Sequence, residues 1–340
     1  MSEPNSLRIC RWNPVGICSS KCYYQHNDNS RTGQNIQETV LTTTKVVYNT
    51  FGKLFAVPMD GQVYAQPLVL SNVSIGGGNH NVVYVATEND SVYAIDATNG
   101  TVYWQKNFVP PGLTPSDDYC NGSGGNLVPK IGITGTPVID TATNTIYFVT
   151  STKQSGVAYY QQLHALNVST GAEKFGGPVL ISASYGGATF DPERQLNRPG
   201  LLLVNGHIVI AFGQHCSHTG FGWVISYKNT TLSQEAVFNT APGYASNWGD
   251  ATIWMSGNGV AADSNGNLFF ATGDGPVFAG SPWYGDSILK LGSPLSGQMN
   301  LLDYFIPWNY SDLYTRDLDL GSGGCFCFPT CPLVQRISTC

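Results

Sequence analysis

The sequence predicts an all-β protein, a β-propeller of four-stranded antiparallel blades. Three observations predict it. Almost no segment keeps apolar residues at helical spacing over ten residues. Short β-branched and aromatic runs recur between Gly, Pro, Asn and Asp. One pattern of strands and turn returns four times, with second-strand ends at Asp96, Asn167, Lys228 and Leu291, spaced 71, 61 and 63 residues apart. A small lone sheet cannot bury both faces, and radial stacking of copies solves this. A β-sandwich does not call for four copies of one pattern.

The elements follow in order. In the first unit, strands are expected at 66–70, 82–87, 91–95 and 101–104, with a turn at 96–100. The second has strands at 136–140, 145–150, 162–166 and 172–175, with its turn at 167–171. The third shows strands at 200–204, 207–213 and 222–227, the fourth at 259–263, 267–273 and 286–291. Residues 54–57 offer an outer strand for another blade, and 317–324 look like the opening of a further repeat. The expectation is four to five blades of an incomplete propeller at 41–324. An irregular segment at 1–40 precedes it and a Cys-rich tail at 325–340 follows it. That tail reads either as aberrant or as a disulfide-bonded extracellular extension.

Composition narrows the function classes. Of 340 residues, 42% are hydrophobic and 11% charged, with net charge −6, so a basic nucleic-acid footprint is not expected. No apolar run of about 18 residues is present, so no helical membrane span is expected. Nine Cys stand at 10, 18, 22, 120, 216, 325, 327, 331 and 340. Cys325, Cys327 and Cys331 lack the fourth ligand a structural zinc wants. Disulfides are expected if the chain is secreted. Sequons at Asn72, Asn89, Asn99, Asn121, Asn167, Asn229 and Asn309 point to a secreted or extracellular glycoprotein. Residues 1–22 hold no apolar signal core, so this N-terminus is expected not to be the native one.

The turn residues have a structural reading. Asp96 accepts backbone N–H groups across its turn, and Gly100 takes the positive φ it needs. Gly171 repeats that role. Trp104 and Phe175 present flat surfaces to a neighbouring blade.

The run Ala94-Ile-Asp-Ala-Thr-Asn-Gly100-Thr-Val-Tyr-Trp104 resembles the repeat of quinoprotein-type propellers, the pyrroloquinoline quinone (PQQ)-like repeat. The copy from Ala165 to Phe175 is similar, with Asn167 for Asp and Phe175 for Trp. Residues 26–33 and 60–67 also resemble the opening of such propellers. The resemblance implies a propeller whose tryptophans lock blades together. It also implies PQQ and Ca²⁺ as cofactors, with the ion acting as a Lewis acid and a carboxylate taking the substrate proton. The adjacent Cys-Cys pair typical of that family's dehydrogenases is absent from this sequence.

Equivalent loops of successive blades emerge on one face. The loops after the second strands hold Glu88-Asn-Asp90, Ser151-Thr-Lys153, Gln214 to His218, and Asp274-Gly275. Expected roles there are catalytic for Asp274 and Asp250, cofactor binding for Glu88, Lys153, Gln214 and Trp248, and metal binding for His215, His218 and Asp274. Two imidazoles and Cys216 suit a metal, and Asp117-Asp118 suit Ca²⁺. Tyr244, Trp248 and Trp254 near Asp250 suit sugar stacking. The expected function is a binding scaffold for a small molecule, sugar or protein ligand. The alternatives are a quinoprotein-type oxidoreductase of alcohols or sugars and an extracellular carbohydrate-binding protein.

Overall fold

Period-two patterning on both faces of each sheet is what stacks the blades. The computed structural model describes residues 22–35, 38–49, 51–117, 127, 129–214, 221–243, 251–275, 277, 282–318 and 320–327, and the backbone of 6–11. Strand β1 (Ser6–Arg11) pairs antiparallel with β2 (Gly52–Pro58). Blade 1 is β3 (Leu68–Ile75), β4 (Gly78–Ala86), β5 (Ser91–Asp96) and β6 (Val102–Asn107), in that order outward.

Blade 2 has β7 (Thr114–Pro115), β8 (Val138–Asp140), β9 (Thr145–Gln154), β10 (Ala158–Asn167) and β11 (Val179–Leu180); β7 and β8 share the inner edge of β9. A short hairpin, β12 (Ser184–Tyr185) and β13 (Ala188–Thr189), leads into blade 3. That blade is β14 (Gln195–Leu196), β15 (Leu202–Val204), β16 (His207–Gln214), β17 (Trp223–Lys228) and β18 (Gln234–Asn239). Blade 4 is β19 (Ala261–Ala262), β20 (Leu268–Ala271), β21 (Ile288–Leu291) and β22 (Leu301–Phe305), followed by α1 (Tyr310–Arg316). No helix among the described residues is long and apolar enough to cross a membrane.

Alternate residues of one strand serve two seams. Val82, Tyr84, Ala86, Val92 and Ala94 pack with Ile139, Ile146 and Phe148 of blade 2. Their neighbours Val83, Val85, Tyr93 and Ile95 pack with Val57 of β2. The blade 2–3 seam joins Tyr147, Val149 and Leu163 to Ile208, Ile210, Phe212 and Trp223. The blade 3–4 seam joins Val209, Val224 and Phe238 to Leu268, Phe270 and Leu289.

Polar contacts repeat across the seams too. The Tyr84 hydroxyl and the Trp104 indole N–H both donate to the Val168 carbonyl, at 3.0 and 3.1 Å. Tyr147 donates likewise to Asn229 O, at 2.8 Å. Each tyrosine of a second strand thus reaches the outer turn of the next blade.

The two recurring turns share one chemistry. Asp96 Oδ1 accepts from the N–H groups of Thr98 and Asn99, and Asn167 Oδ1 from those of Ser169 and Thr170. Gly100 and Gly171 close them at φ +79° and +66°. A Cβ on Gly171 meets the Trp104 ring at 3.0 Å, so the indole seats directly on the next blade's turn. Burial opposes the charge of Asp96, yet bonds from Tyr103, Thr98, Asn99 and His80 hold its carboxyl below the ordinary range. Phe175 differs from the strand position expected for it. It lies in a turn at φ 56°, half-buried against the blade 2–3 seam, because the chain leaves the sheet before β11.

Residues 22–31, within the segment expected to be irregular, tie the hub together. Cys22 exchanges backbone hydrogen bonds with Val69, Ile139 N–H donates to Tyr23 O, and Ala262 N–H donates to Asn29 O. Asn29 Nδ2 reaches Leu203 O at 2.9 Å. Residues 22–31 therefore cross the innermost strands of all four blades. Buried Arg31 donates to the carbonyls of Val260 (3.0 Å), Gln25 (2.9 Å) and Leu201 (3.0 Å). From the tail, buried Cys327 donates its N–H to Ser30 O, so 325–327 join the hub as well.

Burial also sorts the sequons. Asn72 and Asn99 are exposed, whereas Asn229 is buried and its Nδ2 donates to Asp140 at 2.9 Å. Folded protein produced through a eukaryotic secretory route is expected to carry glycan at Asn72 and Asn99 and none at Asn229. Peptide mapping by mass spectrometry checks this; an occupied Asn229 in folded protein contradicts the packing.

Candidate functional site

Second strands run in one direction in every blade, so their ends share a face. Of the residues expected there, His215, His218, Trp248 and Asp250 lie outside the described residues, as do Cys216, Asp118 and Tyr244. The others divide. Lys153 belongs to β9 rather than to a loop and pairs with Asp117. Gln214 is the buried last residue of β16, opposite Gln195 of β14. Asp274 is half-buried on blade 4, and its carbonyl accepts from Ala251 N–H at 2.5 Å. Among the described residues, no group of three His, Cys, Asp or Glu side chains is placed to hold a metal ion.

Glu88 behaves differently from a solvated loop carboxylate. It is 1% exposed, and Oε2 accepts from Gly132 N–H at 2.7 Å and the Thr134 hydroxyl at 3.0 Å. Gly132 is required there, because a Cβ on it lies 2.6 Å from the Glu88 carbonyl. Burial pushes the Glu88 carboxyl up to about 7, against the pull of those bonds and of the Arg198 cation. Asp90 is fully buried and accepts from Ser151 N–H at 3.2 Å; burial raises it well above the carboxylate range.

Arg198 completes this cluster. Its guanidinium lies over the Trp254 ring at 4.9 Å, and both residues are half-buried. Glu88 follows the second strand of blade 1, and Thr134, Arg198 and Trp254 come from the connections entering blades 2, 3 and 4. Their contacts gather these four residues on the loop face, beside the starts of the inner strands. Residue order hides this: the connections carry no period, and Arg198 and Thr134 are matched only by standing four residues before β15 and β8. Arg198 and Thr134 were not anticipated, and Trp254 was expected only as a companion of Asp250.

Solved structures show where this architecture recurs. The quinohemoprotein alcohol dehydrogenase from Comamonas testosteroni is similar with TM-score 0.54 and 16% identity, over 85% of this chain and 41% of that one. A europium-containing methanol dehydrogenase aligns with TM-score 0.52 and 15% identity, over 86% and 50%. The quinohemoprotein alcohol dehydrogenase ADHIIG of Pseudomonas putida HK5 aligns at 0.49 and 19%, over 74% and 35%. This chain spans 35% to 50% of their lengths. The first two establish the fold, a β-propeller of antiparallel blades. No protein-family model and no curated protein matches the chain.

Proposed function

We propose that this chain is a propeller-type binding scaffold, without catalysis of its own, that holds a small anionic molecule at the cluster of Glu88, Arg198 and Trp254. The observation that carries this is the Arg198 guanidinium over the Trp254 ring, 4.9 Å from its centre, beside Glu88. A guanidinium presents paired N–H groups that match the two oxygens of a carboxylate, and the ring supports the cation through its face. Glu88, held near 7 by burial, is largely protonated below that pH and neutralises Arg198 only in part.

The quinone reading rests on the same face. The anionic half of that chemistry suits Arg198, since PQQ carries carboxylates. Calcium does not fit beside Glu88. Ca²⁺ takes six to eight oxygen ligands, whereas Glu88 commits one oxygen to Gly132 and Thr134 and has a guanidinium cation for a neighbour. No step through the cofactor is derived. Glu88 is the feature that favours catalysis, because a carboxyl near 7 can accept a proton at neutral pH.

Fluorescence titration with pyridine-2,6-dicarboxylate separates the readings, alongside dye-reduction assays with PQQ and Ca²⁺ on ethanol and glucose. Saturable quenching that weakens at least tenfold in Arg198→Gln, with no dye reduction, is expected. Absence of binding removes the scaffold reading, and cofactor-dependent dye reduction replaces it with the oxidoreductase.

A further inference from the structure

Glu88 and Asp90 share one arrangement. In each carboxyl the hydrogen bonds fall on one oxygen. Glu88 Oε2 accepts from Gly132 N–H and the Thr134 hydroxyl, and Asp90 Oδ1 accepts from Ser151 N–H. The second oxygens, Glu88 Oε1 and Asp90 Oδ2, are buried with no hydrogen-bond partner. Asp60 on the same blade is built differently. It is exposed, Oδ1 accepts from the Thr87 hydroxyl, and Oδ2 accepts from Asn89 and Ser91. An ionised carboxylate spreads its charge over both oxygens, so a buried oxygen without donors is costly to ionise. A neutral carboxyl places a hydroxyl there at far lower cost. The bare oxygen of Glu88 is therefore where its proton sits. Burial accordingly raises both carboxyls, Glu88 to about 7.

What distinguishes Glu88 is its cation. Arg198 acts on Glu88 and favours its ionised form, whereas the charged groups that face Asp90 are Glu88, Asp60 and Lys130. Packing explains the approach of Arg198. A Cβ on Gly135, next to Thr134, lies 2.8 Å from the Pro199 carbonyl oxygen, so the connection that carries Arg198 rests on the one that caps Glu88. Around Glu88 the charges are thus Asp90 on its own loop and Arg198 opposite; Gly132 and Thr134 bring none. An ionised Glu88 and a ligand carboxylate call on the same guanidinium and repel each other. A neutral Glu88 does neither.

We infer that Glu88 is a proton-operated gate on the anion site: above neutral pH a carboxylate ligand enters together with one proton, and the site releases both as Glu88 ionises. The inference rests on the reading of Arg198 as the anion's partner and adds its regulation. The coupling is reciprocal, so a bound anion holds the Glu88 proton more tightly.

Fluorescence titration of the full chain with pyridine-2,6-dicarboxylate at pH 6 and pH 8.5, at constant ionic strength, tests it. This probe keeps both carboxylates ionised throughout. Affinity is expected to fall at least tenfold from pH 6 to pH 8.5. Glu88→Gln, confirmed folded by thermal melting, is expected to bind within about twofold of its pH 6 affinity at both values. Calorimetry of the parent at pH 8 in phosphate and in Tris is expected to show uptake of close to one proton per ligand bound. Binding indifferent to pH, or a Glu88→Gln variant that keeps the parent's dependence, overturns the gate and leaves the Arg198 reading standing. Absence of binding at both pH values removes that reading and the gate with it. If Glu88→Gln fails to fold, the calorimetry decides, and binding without proton uptake overturns the gate.

Discussion

Arg31→Met is expected to destabilise the chain by on the order of 4 kcal/mol, a large share of the roughly 5–15 kcal/mol that holds a domain folded. The methionine keeps the apolar stem and removes every donor. The carbonyls of Gln25, Leu201 and Val260 then stay buried without a partner, each costing about 1–3 kcal/mol. Part of this is offset, because a buried guanidinium is itself costly; burial pulls Arg31 down to about 10. Arg31→Lys keeps the charge but lacks the fork that reaches three carbonyls from three directions, so it is expected to recover only a minor part. Urea unfolding followed by tryptophan fluorescence measures both variants. A loss below about 1 kcal/mol for Arg31→Met means that residues 22–31 merely lie on the hub and do not hold it.

The second large effect is a dependence on pH that runs opposite to the usual one. Glu88 has an ordinary value of 4.5 and is pushed to about 7 in the folded chain, first by burial. Between those values the folded state holds a proton that the unfolded state has released. Stability therefore falls as pH rises through that window. The contribution is fully present below 4.5 and is lost above 7, a difference on the order of 3 kcal/mol. Asp90, raised by burial in the same loop, acts in the same direction. Glu88→Gln keeps an oxygen for Gly132 and Thr134 without a titrating proton. It is expected to flatten the profile and to exceed the parent in stability at pH 8. Denaturant midpoints at pH 5, 6, 7 and 8 give the slope; a parent whose stability climbs across that range refutes the buried, protonated Glu88.

The candidate site was only half legible. Glu88 was placed on the rim from blade register alone, because a second-strand end in one blade implies the same face in the next. Its burial was not legible, since that depends on Gly132 and Thr134 folding over it from a connection about 45 residues away. Lys153 was read as a rim residue too, but β9 runs on to Gln154 and the ammonium turns to Asp117. Asp274 stands at a strand end as expected, on blade 4, next to Gly273, which lies against the Trp254 ring. Arg31 lay inside a recognised stretch and still carried no visible role, because its three partners come from residues 25, 201 and 260.

Residue order alone determined the blades. Alternation along a strand and an Asp or Asn four residues before a Gly are local rules, satisfied within a dozen residues wherever the chain happens to pack. Only the tertiary structure decided which polar groups meet. Packing of the blades against one another and against residues 22–31 brings together aperiodic connections and a leading segment, and their partners are chosen by burial: a guanidinium, a carboxyl or a carbonyl removed from water must be answered by whatever the neighbouring blade presents.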